Sequence, residues 1–281
     1  MIRLGTRASK LALAQTRWVA DRLGEEAEIV TINATGPVDD KSRWVSELER
    51  ALLEDRIDLA VHSAKDVPTE LPEGLELVAI PVRADPRDAI CGAPSLGALA
   101  GGARVGTSSL RRAAQLRALR ADLAVNEVRG NVDTRLRKLA EGQHDALVLA
   151  AAGLQRLGLE PDGILDELVP AAGQGALAIE ARAGHAVASE LIDPDAAACV
   201  SAERELVHAL GASCNTPVGA HARTVDGGLE LSAWVGLPDG SEWLRDLYRG
   251  GLQEAAPTVA RRLLSTGARG LLRRAERELT Q

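Results

Sequence analysis

Along the first third of the chain, short apolar runs alternate with stretches of helical spacing. Ile2 to Gly5 predicts a strand. Ser9 then stands at an N-cap position ahead of Leu11, Ala14, Trp18 and Val19, which share one helical face. Glu28 to Asn33 predicts a second strand, and 44–54 a helix aligned by Val45, Leu48 and Leu52. Leu59-Ala60-Val61 predicts a strand that runs into His62-Ser63-Ala64-Lys65-Asp66. Leu75 to Pro81 predicts another, after which Pro81 and Pro86 mark a linker.

The same alternation restarts near Arg87 and continues to Val169. Its strands are expected at 89–91, 104–105, 123–128 and 146–150. Residues 170–180, PAAGQGALAIE, read as a return crossing into one more strand. From about residue 194 the pattern changes to a helix over 197–210 and then a meander. Asp226-Gly227 and Asp239-Gly240 are its hairpin signals, and helices follow around 259–279. Strands alternating with helices imply parallel α/β layers. The expected architecture is two α/β domains joined by two crossings, plus a smaller α+β C-terminal domain. The expected units are 1–82 with 174–193, then 83–173, then 194–281.

Composition narrows the function classes. The 281 residues suffice for two or three domains, and the chain carries a net charge of −7. Aromatics make up 2% of it, with no Phe and one Tyr, so the core must be aliphatic. Surfaces that bind single-stranded nucleic acid stack bases on aromatic rings. That shortage and the acidic total argue against a nucleic-acid partner. No apolar run approaches the roughly 20 residues of a membrane span, and the N-terminal segment lacks a signal-peptide apolar region. A cytoplasmic protein is expected. Cys91, Cys199 and Cys214 have neither disulfide-framework nor zinc-ligand spacing. His144, His185, His208 and His221 show no metal spacing either, so no metal is expected.

Against this acidic background, cationic residues gather at strand–helix junctions. The apolar runs 103–105 and 123–125 each lead into a turn, an arginine and a helical pattern. Helix N-termini offer free N–H groups and partial positive charge, which suits anions. Thr107, Ser108 or Ser109 is placed to cap the first of them. Arg111, Arg112, Arg129 and Arg135 can fork onto carboxylate or phosphate oxygens. Arg7, Lys65 and Arg156 also lie just past strand ends, where ligands of open α/β sheets bind. A polyanionic small molecule in an interdomain cleft is the expected ligand.

Asp66 is the one acid in this basic neighbourhood. It either pairs structurally with its neighbouring lysine or serves a developing cation or a departing proton. Cys214, in a Gly/Ser/Asn/Pro loop, is either an incidental thiol or a covalent anchor. The Gly-rich 171–178 segment matches neither phosphate-loop nor dinucleotide fingerprints. It reads as a tight hinge with close backbone packing.

Taken together, LGTRASKLALAQ, LAVHSAKDVPT, DPRDA, VGTSSLRRAAQL, VRGNVDTRLRKL, LAAAGLQRLGL, PAAGQGALAIE and SCNTPVGA resemble the porphobilinogen deaminase (hydroxymethylbilane synthase) family. The resemblance implies two periplasmic-binding-protein-like domains and a third that bears the cofactor. It implies a dipyrromethane cofactor joined to Cys214 by a thioether, and porphobilinogen as substrate. Four substrate molecules would be added in turn with loss of ammonia, and water would then release hydroxymethylbilane. In family terms Asp66 is the catalytic carboxylate. Ser9, Ser63, Lys65, Thr107, Ser109, Arg111, Arg112 and Arg135 would hold the cofactor, and Arg7, Arg129 and Arg156 the substrate. A monomer is expected.

One segment departs from the family pattern. After the second strand the chain reads INATGPVDDKSRWVSELE, where the family carries a longer loop over the cleft. Lys41 and Trp44 align with the end of that loop, at a place where phenylalanine is common. A shorter lid implies poorer shielding of reactive intermediates from water, or compensation by Trp44. Two rival readings share these residues: a cleft receptor for an organic anion, and a degenerate homologue that holds a tetrapyrrole.

Overall fold

A computed structural model describes residues 1–33, 41–212 and 216–280, and for 41–43, 279 and 280 the backbone alone. The first sheet takes strands β1 (Ile2–Thr6), β2 (Ala27–Thr31), β3 (Leu59–Ser63) and β4 (Leu75–Ala79) from the start of the chain. β1 runs parallel to both β2 and β3. Helices α1 (Lys10–Ala20) and α2 (Lys41–Leu53) are the crossovers. The second sheet holds β5 (Asp88–Cys91), β6 (Arg104–Gly106), β7 (Ala124–Asn126), β8 (Ala146–Ala150) and β9 (Gly163–Leu165). Its helices are α3 (Leu110–Leu119), α4 (Val132–Ala140) and α5 (Ala151–Gln155). The chain then returns to the first sheet as β10 (Leu177–Arg182).

The two sheets repeat one plan. Their orders are β2-β1-β3-β10-β4 and β7-β6-β8-β5-β9. In each, the fourth strand arrives through a crossing from the other half and lies antiparallel to its neighbours. Each strand of a parallel βαβ unit enters from the far edge of its sheet, whereas a strand delivered by a crossing enters from the cleft edge. It therefore points the other way. This is the expected pair of α/β domains joined by two crossings. The third sheet is the meander of β11 (Val218–Val225), β12 (Gly228–Gly236) and β13 (Trp243–Gly250). Helices α6 (Pro194–Ala209), α7 (Leu252–Ser265) and α8 (Ala268–Thr280) accompany it. Asp226-Gly227 forms the first hairpin, as the register of Val225 on Gly228 requires.

Local chemistry sets the helix starts. The Ser9 hydroxyl accepts a hydrogen bond from the Ala12 N–H at 3.2 Å, and Ser109 does the same for Arg112 at 3.4 Å. Asp193 caps α6 with Pro194 in its first turn, so that helix begins before the 197 expected from periodicity. The closing helices also begin early, at Leu252, because Pro257 in the second turn of α7 masks the pattern. β9 and α5 carry too few residues for any periodicity to show. The cores are aliphatic: Leu4, Leu59, Leu177 and Ile179 in the first layer, Ile90, Val105, Leu116 and Val148 in the second. Leu206, Leu231, Val259 and Leu263 fill the third. No helix among the described residues is long and apolar enough to cross a membrane.

Candidate active site

The carboxyl ends of β1 and β3 deliver the first part of the site. β3 ends at Ser63 and passes into a single 3-10 turn, Ala64–Asp66. That turn is pinned from behind by the second crossing. Gly173, at φ +72°, sits so close that a Cβ there would come within 2.9 Å of the Ala64 carbonyl carbon and the Lys65 nitrogen. Gly175, at φ +87°, is pressed against the Ala84 carbonyl in the same way. Both positions need the left-handed backbone and the missing side chain that glycine supplies. The hinge reading of 171–178 thus has its packing reason.

Asp66 opens into a hollow lined also by Arg7, Ser9, Gln15, Trp44 and His62. The Arg7 guanidinium lies 4.9 Å from the centre of the Trp44 ring. Burial lowers the pKa of Arg7, and the charge of Asp66 opposes that shift. Ser63 accepts a hydrogen bond from the Gln15 side chain at 2.9 Å. This pair, with Leu11, is shared with a second hollow, so the two adjoin.

The second hollow is cationic. Lys65, Arg112, Arg135 and Arg156 line it, together with Gly173 and Gly175. These groups come from both α/β halves and meet where the crossings pass. Arg156 donates to the Gly175 carbonyl at 2.7 Å, and burial alone lowers its pKa to about 10, so it stays charged at neutral pH. The Arg135 Nε donates to the Gly130 carbonyl at 2.7 Å. Four cations around one cavity in a chain of net charge −7 suit a ligand bearing several carboxylates.

Arg111 and Arg112 share a buried anion that spacing alone did not reveal. Asp88, fully buried on β5, accepts from Arg111 at 2.7 and 3.0 Å and from the Arg112 Nε at 2.7 Å. Burial pushes the Asp88 carboxyl up, but the two guanidiniums outweigh it and hold it well below the usual carboxylate range. Arg111 also donates to the Val169 carbonyl at 2.7 Å and lines neither hollow. Arg112 reaches the cavity while anchored behind.

Other expected residues are placed differently. Thr107 is buried, and its hydroxyl accepts from the Ser109 N–H at 3.3 Å. Ser109 caps α3, and neither residue lines a hollow. Arg129 is exposed, paired with Glu127 at 2.9 Å, and lines neither hollow. Cys214 and the Lys41 side chain lie outside the described residues. Cys91 and Cys199 are buried free thiols. Among the described residues no group of side chains could hold a metal ion.

The site also contains residues that sequence reasoning passed over. Gln174 is buried in the second crossing, with its amide oxygen accepting from Arg112 at 3.1 Å and from Lys65 at 3.4 Å. Its amide nitrogen donates to Asp88 at 2.8 Å and to the Pro86 carbonyl at 2.7 Å. Glu203 on α6 accepts from Arg83 at 2.7 and 3.1 Å, from the Gly173 N–H at 2.6 Å and from the Ala222 N–H at 2.7 Å. His62, which lines the first hollow with Asp66, lies 2.9 Å from buried Glu180. The only hint of these in the sequence was a polar residue inside an apolar or Gly-rich run.

Comparison with known proteins follows the same division of the chain. The family model described as porphobilinogen deaminase, dipyromethane cofactor binding domain, matches residues 2–190. That of the porphobilinogen deaminase C-terminal domain matches residues 197–263. Porphobilinogen deaminase of Deinococcus radiodurans is 46% identical over 96% of this chain and 97% of its own length. The enzymes of that name from Roseiflexus sp. and Thermus thermophilus are each 47% identical, with the same coverage. Among solved structures, a putative methionine-binding lipoprotein from Bacillus subtilis gives a TM-score of 0.41 at 11% identity, over 68% of this chain and 86% of that one.

Proposed function

We propose that this chain, which belongs to the porphobilinogen deaminase family, is a hydroxymethylbilane synthase. It condenses four porphobilinogen molecules with loss of ammonia and releases the linear tetrapyrrole by hydrolysis. One observation carries the reading: a hollow holding Asp66 and Arg7 opens beside one lined by Lys65, Arg112, Arg135 and Arg156. Each pyrrole of substrate and cofactor brings an acetate and a propionate, so the second hollow fits a dipyrromethane by charge. Gly173 and Gly175 also line that hollow, with their α-carbons packed against the protein's own backbone. When bound through Cys214, the dipyrromethane supplies the nucleophilic pyrrole carbon.

The chain's own residues do the rest. Arg7 and Arg156 bind the carboxylates of the incoming substrate, and Lys65, Arg112 and Arg135 those of the cofactor. Ser9 and Ser63 add hydroxyls at the rim. Ammonia leaves the substrate's aminomethyl carbon with the bonding pair, and the resulting cation needs a nearby negative charge. Asp66 stabilises it. Once the carbon–carbon bond has formed, the attacked ring must lose its α-proton, and Asp66 accepts it. Arg111, Thr107 and Ser109 act from behind by seating Arg112 and α3. Arg129 joins the substrate only by leaving Glu127. We assign the three units to 1–82 with 174–193, 83–173 and 194–281, and take the enzyme to work as a cytoplasmic monomer without nucleic acid.

Intact mass and ammonia release test this reading. The purified protein should exceed its sequence mass by two linked pyrroles, the excess should vanish in Cys214→Ala, and porphobilinogen should yield ammonia. A mass excess without ammonia release overturns the enzyme reading in favour of a tetrapyrrole holder. Absence of both leaves only an anion receptor.

A further inference from the structure

Two N–H donors on side chains that line the first hollow are buried and unpaired. The Nε of Arg7 and the indole Nε1 of Trp44 are both buried, and neither has a hydrogen-bond partner among the described residues. They belong to side chains stacked at 4.9 Å, which line the cavity that also holds Asp66. A buried donor without an acceptor is costly, and buried polar groups are nearly always satisfied. Two such donors on touching side chains beside one cavity lack an acceptor that a ligand could bring.

We propose that Trp44 is a specificity-determining residue, whose indole N–H and the Nε of Arg7 together receive one carboxylate of the incoming pyrrole. This rests on the deaminase reading. Trp44 acts in two ways. Its ring face carries the Arg7 guanidinium by a cation–π contact, which fixes the plane of that fork. Its N–H adds a neutral donor beside the cationic one, which favours a planar, two-oxygen acceptor over a single-point anion. A phenylalanine at this place would supply the first action but not the second. Asp66 in the same hollow bears on the choice of group. It repels any carboxylate placed beside it, so the subsite accepts the substrate only in the orientation that turns its acid side chain to Arg7 and its aminomethyl carbon to Asp66.

The test uses the cofactor-loaded protein and calorimetry with an unreactive pyrrole, one bearing acetate and propionate but no aminomethyl group. Two companions have either the acetate or the propionate replaced by an alkyl group. Trp44→Phe should weaken binding of the diacid about tenfold, the scale of one lost hydrogen bond to a charged group. The same variant should bind one of the two mono-acids as the parent protein does, because the carboxylate that Trp44 receives is already missing. Arg7→Gln combined with Trp44→Phe should lose less than the product of the single losses, since both donors serve one group. Binding of the diacid by Trp44→Phe within twofold of the parent overturns the proposal, as does an equal penalty for all three pyrroles. Should that variant fold poorly, Arg7→Gln decides the matter with the same three pyrroles. A mono-acid that binds it and the parent alike supports the shared subsite, and an equal penalty for all three overturns it. If the parent releases no ammonia from porphobilinogen, the deaminase reading fails; if it does and Trp44→Phe binds normally, only the subsite fails.

Discussion

At the residue scale, the site separates groups that meet the ligand from groups that hold those groups. Asp66 belongs to the first kind. Asp66→Asn keeps the size and shape of the side chain but removes its charge, so turnover should fall by at least a hundredfold while intact mass shows the cofactor retained. A variant that keeps even a tenth of the parent rate would put the carboxylate elsewhere. Arg112 belongs to both kinds, since it lines the cationic hollow and is bonded to Asp88 and Gln174. Arg112→Leu should slow cofactor attachment, seen as protein at its bare sequence mass, and leave Asp88 with Arg111 as its remaining guanidinium. The sequence drew attention to these cations because each follows a strand end, and strand ends are legible from apolar runs. It could not separate Arg111 from Arg112. Adjacent residues on a helix point about 100° apart; both reach Asp88, but Arg111 turns to the Val169 carbonyl while Arg112 turns to Gln174 in the second crossing.

At the element scale, the strand–helix alternation was legible and the strand directions were not. β5 and β10 look like any other apolar run, yet each lies antiparallel to both its neighbours in the sheet it crosses into. Nothing local encodes that reversal, because it follows from which edge a crossing strand enters. The crossing itself was marked by its glycines. Gly173→Ala places a methyl group within 2.9 Å of the Ala64–Lys65 peptide and forces an L-residue to φ +72°. The backbone cost is about 1–2 kcal/mol, and the clash should move the 3-10 turn that carries Asp66. The expected result is a fall in kcat of tenfold or more with only a small loss of melting temperature. A normal kcat would show that the turn tolerates displacement. Gly227→Ala is a useful control. It shares a positive φ in the hairpin of the third sheet, but a methyl group there meets nothing within 4 Å, so kcat should not change.

At the scale of the whole molecule, the three sheets meet through two buried carboxylates. Asp88 joins the second sheet to the second crossing by way of Gln174, and Glu203 joins α6 to both crossings through Arg83 and the Gly173 N–H. Burial raises each carboxyl, and neighbouring cations outweigh it, so both end below their ordinary values. A depressed folded-state pKa means that the unfolded chain binds the proton first. The stabilisation is therefore complete above the ordinary carboxylate pKa and is lost as pH falls towards the depressed folded values. Urea midpoints should accordingly drop steeply on acidification below about pH 4, near the unfolded carboxylate values. Glu203→Gln removes one of the two titrations and leaves Arg83 buried without its carboxylate. It should cost about 3 kcal/mol at neutral pH and flatten the acid limb. The same variant removes one of the ties between the third sheet and the crossings that carry the site, so cofactor loading at Cys214 should also slow. If loading stays normal while stability falls, Glu203 holds the domains together without setting their register, and the bond from the Ala220 N–H to the Pro170 carbonyl remains between β11 and the second crossing to set it.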